Sequence, residues 1–374
     1  MKMKTFFAAS LAALALAACS KEADSGAPAP AAKTNFAISL PGTLETYGVE
    51  NPQVGGPITP FYNDVSTYFF DAGDNVTKVY VWSDEEVLAR EIRLEQIVEP
   101  ASVVVLVNTG GMSIPTDVTT LDEFASELNS LAIYDQNHAV YTLADTDSKG
   151  NPAGDYLSVQ QVTLIGGQTS FTTETSDDGH TLKKAVVELR SLVARFEMGT
   201  VKPGTGLDAL TVEAVYLNNF HNDYGGSTTT LHTEATWPST YSPSWATDDY
   251  NAAVTSEDGT KVYAYQIFAH GLIPHVVYKV SGTVSAGYKL ADGTGDADNP
   301  TPFTGKFITV KGFKENGSTL GSTHAHKIYK MGLTGGGIEI TPDKITDQPE
   351  KNKIDLIVGI TVADWSISNL VPEF

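Results

Sequence analysis

The sequence predicts an all-β chain of two β-sandwich domains, with one short helix in the first. Most of the apolar signal has period two rather than 3.6. In "IDLIVGITVA", Ile354, Leu356, Val358, Ile360 and Val362 fall on one strand face, with Asp355, Gly359, Thr361 and Ala363 on the other. Turn residues break these runs often, as in "SDDGH", "DYGGS" and "LADGTGDADNPTP", which gives the strand spacing of sandwiches. A length of 374 residues fits two domains better than one, on a prior of about 100–200 residues per domain.

Before the first strand the chain reads as an export signal. Lys2 and Lys4 make a positive start, Phe6 to Ala18 is apolar and small, and Leu16-Ala17-Ala18-Cys19 closes the run. That is the plan of a secretory signal peptide over residues 1–18, too short to span a bilayer as a mature helix. Its ending resembles a bacterial lipobox, which implies a diacylglycerol on Cys19 and a cut just before it. The alternatives are an ordinary signal peptide cut near Cys19, or a core cysteine. Residues 19–33 follow as a flexible tether, rich in Ala and Pro and unable to bury a core. Its Ser-Lys-Glu-Ala-Asp stretch is similar to the acidic export signal of surface lipoproteins of the Bacteroidetes.

Losing residues 1–18 removes Lys2 and Lys4, moving the net charge from −21 to −23. Phosphate binding needs clustered Lys and Arg, so a nucleic-acid partner is not expected. With a single Cys there is no intramolecular disulfide, and stability must come from ordinary cores.

Taken in order, "TNFAISLPG" places Phe36, Ile38 and Leu40 in alternation with Asn35, Ala37 and Ser39, a short strand directly after the tether. "TLETYGVENPQVGGPITPFYND", rich in Gly and Pro, is a loop, so this strand joins its domain by a long connection rather than a hairpin. Strands are expected at residues 79–82, 103–107, 159–165, 185–189, 210–216, 262–268, 276–284, 307–310 and 354–362. The helix is expected at Thr119 to Tyr134: Thr120 can cap, Glu123 completes a capping box, and Leu121, Phe124, Ala125, Leu128 and Leu131 form an apolar stripe. A domain change is expected near Ala185, giving an N-terminal domain at 34–184 and a C-terminal one at 185–374.

No catalytic set or cofactor site is legible. Gly305-Lys306 lacks the rest of a phosphate-binding loop, "LTGGGIEI" lacks a dinucleotide fingerprint, and neither Gly-x-Ser-x-Gly nor His-Glu-x-x-His occurs. His324 and His326 would share one face of a strand but have no third ligand at short spacing. Asp145, Asp147 and Gly150 match calcium-loop offsets, but Lys149 and Tyr156 stand where oxygen ligands belong. Trp237 and Trp245 are the nearest material for a sugar platform.

Several motifs together resemble the fimbrillin family, the type V pilins of the Bacteroidetes. They are the lipobox, the strand "NFAISLPG", "VVVLVNTGG" followed by "TTLDEFASELNSL", the run "VELRSLVARFEMGTV" and the ending "GITVADWSISNLVPEF". The resemblance implies two transthyretin-like sandwiches, export to the outer membrane as a lipoprotein, and a non-enzymatic role as a structural subunit of a cell-surface fimbria that supports adhesion. It also implies that a protease removes the first strand and that a tail from the next subunit refills the groove. Carried over, Phe36, Ile38 and Leu40 plug the groove, and Trp365, Ile367, Leu370, Val371 and Phe374 anchor the donor tail 365–374; the alternative, which Pro372 favours, is that this tail is the last strand of its own domain, or frayed. The partners implied are other fimbrial subunits, the outer membrane through the lipid, and a host or bacterial surface ligand; no cofactor is implied. The best-known members are cut at an arginine after the first strand, and Lys33 to Thr77 contains none. An uncut anchor or accessory subunit is therefore an alternative, as is a glycan-binding surface lipoprotein.

Overall fold

The computed structural model describes residues 33–40, 62, 64–109, 117–133, 163–175, 181–231, 254–255, 261–332, 337–351 and 356–364. Nine strands form the first part: β1 (Lys33–Ser39), β2 (Val65–Phe70), β3 (Val76–Val81), β4 (Glu91–Val98), β5 (Ser102–Val107), β6 (Leu164–Gln168), β7 (Thr172–Thr175), β8 (Thr181–Val186) and β9 (Arg190–Ser191). They make a four-stranded sheet, β4-β1-β8-β7, and a five-stranded sheet, β3-β2-β5-β6-β9.

Period-two alternation decides what each face does. On β2, Phe69 turns toward the other sheet, where Phe36 of β1 meets it edge-on at 5.8 Å between ring centroids. The flanking Tyr68 and Phe70 turn outward and pack on Phe124, at 4.6 and 6.1 Å. Phe124 belongs to α2 (Leu121–Asn129), a helix that covers the outer face of the five-stranded sheet and so lets β5, "SVVVLV", be buried along its whole length. Thr120 caps α2 by accepting from the Glu123 amide, while Glu123 turns back to the amide and hydroxyl of Thr119. The helix stops at Asn129, short of the expected Tyr134, because Leu131 and Ile133 leave it to pair elsewhere.

A second helix was not expected: α1 (Asp84–Ala89) has a full capping box, Ser83 with Glu86, and three acids in its first turn. The expectation of a single short helix is thus corrected.

The rest of the described chain comprises β10 (Val193–Met198), β11 (Val201–Pro203), β12 (Leu207–Asn218), β13 (Phe220–His221), β14 (Thr229–Thr230), β15 (Val254–Thr255), β16 (Lys261–Phe268), β17 (His275–Val284), β18 (Thr301–Glu315), β19 (Ser318–Thr319), β20 (Lys327–Met331), β21 (Ile338–Ile340) and β22 (Leu356–Asp364). One sheet runs β12-β17-β18-β22-β20-β10-β16-β13-β14, with β15 on β16 and β19 on β18; β11 and β21 pair separately. This strand series opens at Val193 rather than near Ala185, because Thr181–Val186 is taken into the first part as the parallel neighbour of β1. His324 and His326 are not on a strand: they precede β20, with His326 at a φ of 63°. The loop bearing Asp145, Asp147 and Gly150, and Trp237 and Trp245, lie outside the described residues.

The two parts repeat one pairing plan. β1 lies between an antiparallel β4 and a parallel β8, and β10 lies between an antiparallel β16 and a parallel β20. β2-β5-β6 and β12-β17-β18 are both antiparallel ladders. They differ at one seam. In the second part β22 bridges β18, in parallel, and β20, antiparallel, whereas the corresponding β6 and β8 stay in separate sheets. Ahead of β22 in the chain, Glu350 is held by its carboxylate, which accepts from Asn218 Nδ2 at 2.8 Å and meets His275 Nδ1 at 3.0 Å. Burial pushes the Glu350 carboxyl up, but these bonds and Lys311 outweigh it and hold the group below its ordinary value.

The parts meet where the end of α2 docks on the turn after β13. The amides of Tyr224 and Gly225 donate to Leu131 and Asn129, both at 2.9 Å, and that of Ile133 donates to Asn222 at 2.8 Å. Asp223 holds the turn by accepting from the amides of Ser227 and Thr228; these bonds overcome partial desolvation and bring its carboxyl down to about 2. Against the turn, His270 packs edge-on with His221, at 5.6 Å, and with Tyr224, at 5.1 Å.

A candidate strand-exchange groove

β1 is a strand gripped on both edges. Against β4 it pairs Phe36 with Leu94, Ala37 with Arg93, Ile38 with Ile92 and Ser39 with Glu91. Against β8 it pairs Phe36 with Lys183, Ala37 with Lys184, Ile38 with Ala185 and Ser39 with Val186. The ladder continues past the strand: the Leu40 amide donates to Arg90 O at 2.9 Å, and the Val187 amide donates to Ser39 O at 3.0 Å. A bulge at Thr34 to Phe36 is pinned where Gln96, at a φ of 52°, donates its amide to Asn35 Oδ1 at 3.2 Å.

The side chains add to the grip. Phe36 and Ile38 are fully buried, and Leu40 nearly so. Phe36 is clasped edge-on by Phe69 of the facing sheet and, at 4.9 Å, by Phe171 beside β7. At about 1.5–3 kcal/mol for each large apolar side chain buried, these three residues stabilise the sandwich by several kcal/mol. An empty β1 slot would expose that surface between two unpaired strand edges, the arrangement that invites another strand to add.

One end of the slot has its own chemistry. Arg90, at a φ of 55°, closes α1 through its amide and receives the Leu40 amide through its carbonyl. Its guanidinium stacks 4.6 Å from the Tyr62 ring centroid. Burial drives the guanidinium pKa down and the Tyr62 hydroxyl pKa up, while each group's charge partly offsets the other's shift.

The structure thus brings Phe36, Ile38 and Leu40 together in one slot. Cys19 and the tail with Trp365, Ile367, Leu370, Val371 and Phe374 lie outside the described residues. Among the described residues no group of three or more His, Cys, Asp or Glu could hold a metal ion, and no helix is long and apolar enough to cross a membrane.

No family model and no curated protein matches this sequence. Solved structures to which this chain is similar include a candidate cell adhesion protein of Bacteroides eggerthii, 14% identical over 91% of this chain and 98% of the other, with a TM-score of 0.47. A fimbrilin of Porphyromonas gingivalis is 11% identical over 90% of this chain and 99% of its own, also at 0.47. A tip fimbrial protein of Porphyromonas gingivalis is 11% identical over 89% and 100%, at 0.42.

Sequence reasoning passed over Phe69, Phe171, Tyr62 and Arg90 as parts of the slot. For Arg90 a signal was present: Ser83-x-x-Glu86 marks a helix start, and the short helix it opens delivers Arg90 to the end of β1.

Proposed function

We propose that this protein is a structural subunit of a cell-surface fimbria, exported as an outer-membrane lipoprotein anchored through Cys19 and assembled by strand exchange. The observation that carries the reading is β1 itself. It is a central strand, held by ladders on both edges and plugged by Phe36, Ile38 and Leu40, and residues 41–61 separate it in sequence from the rest of its sandwich. A strand so placed can be withdrawn as a unit, and the slot it leaves accepts another chain through the same main-chain bonds. In this reading the tail 365–374 of one copy fills the slot of the next, with Trp365, Ile367, Leu370, Val371 and Phe374 as anchors. The partners are other fimbrial subunits, and the assembled fibre supports adhesion. No catalytic role enters.

The absence of Arg between Lys33 and Thr77 favours a second form of the same role, an anchor or accessory subunit that keeps its lipid and its own β1. The N-terminus and assembly state of protein shed from cells separate the two. Polymers whose chains begin after Leu40 support a stalk subunit; a lipidated monomer beginning at Cys19 overturns the stalk form.

A further inference from the structure

Among the described residues no carboxylate pairs with Arg90. The residue is 7% exposed, and its Nε and Nη2 are buried without a hydrogen bond. An arginine stays protonated at any pH where proteins fold, so this is a buried cation with two empty donor atoms, and among the described residues the Tyr62 ring offsets its desolvation. A guanidinium presents a planar fork of donors that fits a carboxylate with two parallel bonds. The missing group is an anion.

Its position says where the anion comes from. Arg90 accepts the Leu40 amide, so a strand that takes the place of β1 and runs in its direction arrives at Arg90. The same end carries two exposed apolar side chains: Leu88, 46% exposed and two residues before Arg90 on α1, and Val186, 49% exposed and paired with Ser39. The slot therefore ends in apolar surface beside one unsatisfied cation. The end of the tail, Leu370-Val371-Pro372-Glu373-Phe374, has the complementary make-up: apolar residues around Glu373, the only charged side chain between Trp365 and Phe374.

We propose that Arg90 is the receiving cation of the β1 slot and that it takes the Glu373 carboxylate of a second copy of this chain. The pair fixes the incoming tail in the direction of β1 and sets its register, which apolar pockets repeating every two residues leave free to slip. This rests on the strand-exchange reading above. The rival carboxylates are Glu45 and Glu50 of the chain's own 41–61 segment.

The test uses the full chain with a protease site introduced and cleaved between Leu40 and Tyr62, mixed with a fluorescent peptide of residues 364–374 whose C-terminus is amidated, so that Glu373 is the only carboxylate near its end. Mass spectrometry reads release of the segment ending at Leu40, and fluorescence anisotropy reads affinity. The wild-type peptide is expected to displace β1. Glu373→Gln in the peptide, or Arg90→Gln in the receptor, is expected to weaken capture by about tenfold, since each strips one partner from a desolvated charge pair. The two changes together should weaken it no further, and Arg90→Glu with a Glu373→Arg peptide should recover capture. Equal capture of both peptides by the wild-type receptor overturns the Arg90–Glu373 pair and leaves strand exchange standing. Failure to capture either peptide overturns both. If Glu45→Gln or Glu50→Gln lowers the stability of the uncut chain as much as Arg90→Gln does, the cation serves its own loop and the proposal falls. The peptide variant keeps the test valid should an Arg90 variant misfold.

Discussion

Phe36→Ala tests directly whether β1 is a plug. The ring is fully buried and loses two edge-on partners at once, Phe69 at 5.8 Å and Phe171 at 4.9 Å. Truncating a buried Phe to Ala costs about 3–5 kcal/mol, through lost transfer energy and the cavity left behind. Two broken aromatic pairs, at about 0.5–1.5 kcal/mol each, place this site toward the upper end of that range. With a urea slope of about 2 kcal/mol per molar, a loss of about 4 kcal/mol moves the unfolding midpoint of the first sandwich down by about 2 M. The assay is urea unfolding followed by circular dichroism, with Val81→Ala as the control. Val81 is 56% exposed on the edge strand β3, so its truncation should stay within about 0.5 kcal/mol. If Phe36→Ala shifts the midpoint no more than Val81→Ala does, β1 is not a structural plug, and the case for a refillable slot loses its foundation.

Two further outcomes follow from other parts of the molecule. Partial burial and the neighbouring His221 lower the His270 pKa from its ordinary 6.5, so the fold favours the neutral ring. That preference contributes stability above the unfolded value and is lost as pH falls through about 6.5 toward the lower folded value; the protection factors of the Tyr224 and Gly225 amides, at the joint between the two parts and corrected for the intrinsic base-catalysed rate, should fall over that window. His270→Gln should flatten the response, and an unchanged pH profile in the variant would count against the His pair as its source. Gly166→Ala should destabilise the first sandwich by about 1–3 kcal/mol, because a Cβ there would lie 2.3 Å from the Glu188 carbonyl oxygen and 2.7 Å from Val187 Cγ1, where the chain crosses from β8 to β9; thermal unfolding measures it, and a neutral result would mean the crossing is looser than drawn.

The all-β class was legible because strands with one face on a core alternate, as Phe36, Ile38 and Leu40 do against Asn35 and Ser39. Phe36 and Ile38 could be picked as buried from five residues of sequence. Pairing was not legible. Nothing within "TLKKAV" says that it lies parallel to β1, so the boundary between the two strand series was placed too early. The helix α2 was recognised by its cap and stripe, yet its end was set by tertiary bonds from Tyr224 and Gly225 to the carbonyls of Leu131 and Asn129, which no local pattern announces. Arg90 was hidden for a different reason. An arginine in sequence reads as solvated, and no local pattern announces that α1, Leu40 and Tyr62 converge on it.

β22 carries a mechanical consequence. It is hydrogen-bonded to β18 on one edge and to β20 on the other, and the chain leaves it beyond Asp364. A pull on that continuation acts along the strand axis, while the antiparallel bonds to β20 lie across it. Both ladders are then loaded in shear, so they must yield together rather than unzip one bond at a time. A strand paired on both edges inside a continuous sheet is therefore harder to extract than one peeled from an edge, and tension on it is shared by both of its neighbours.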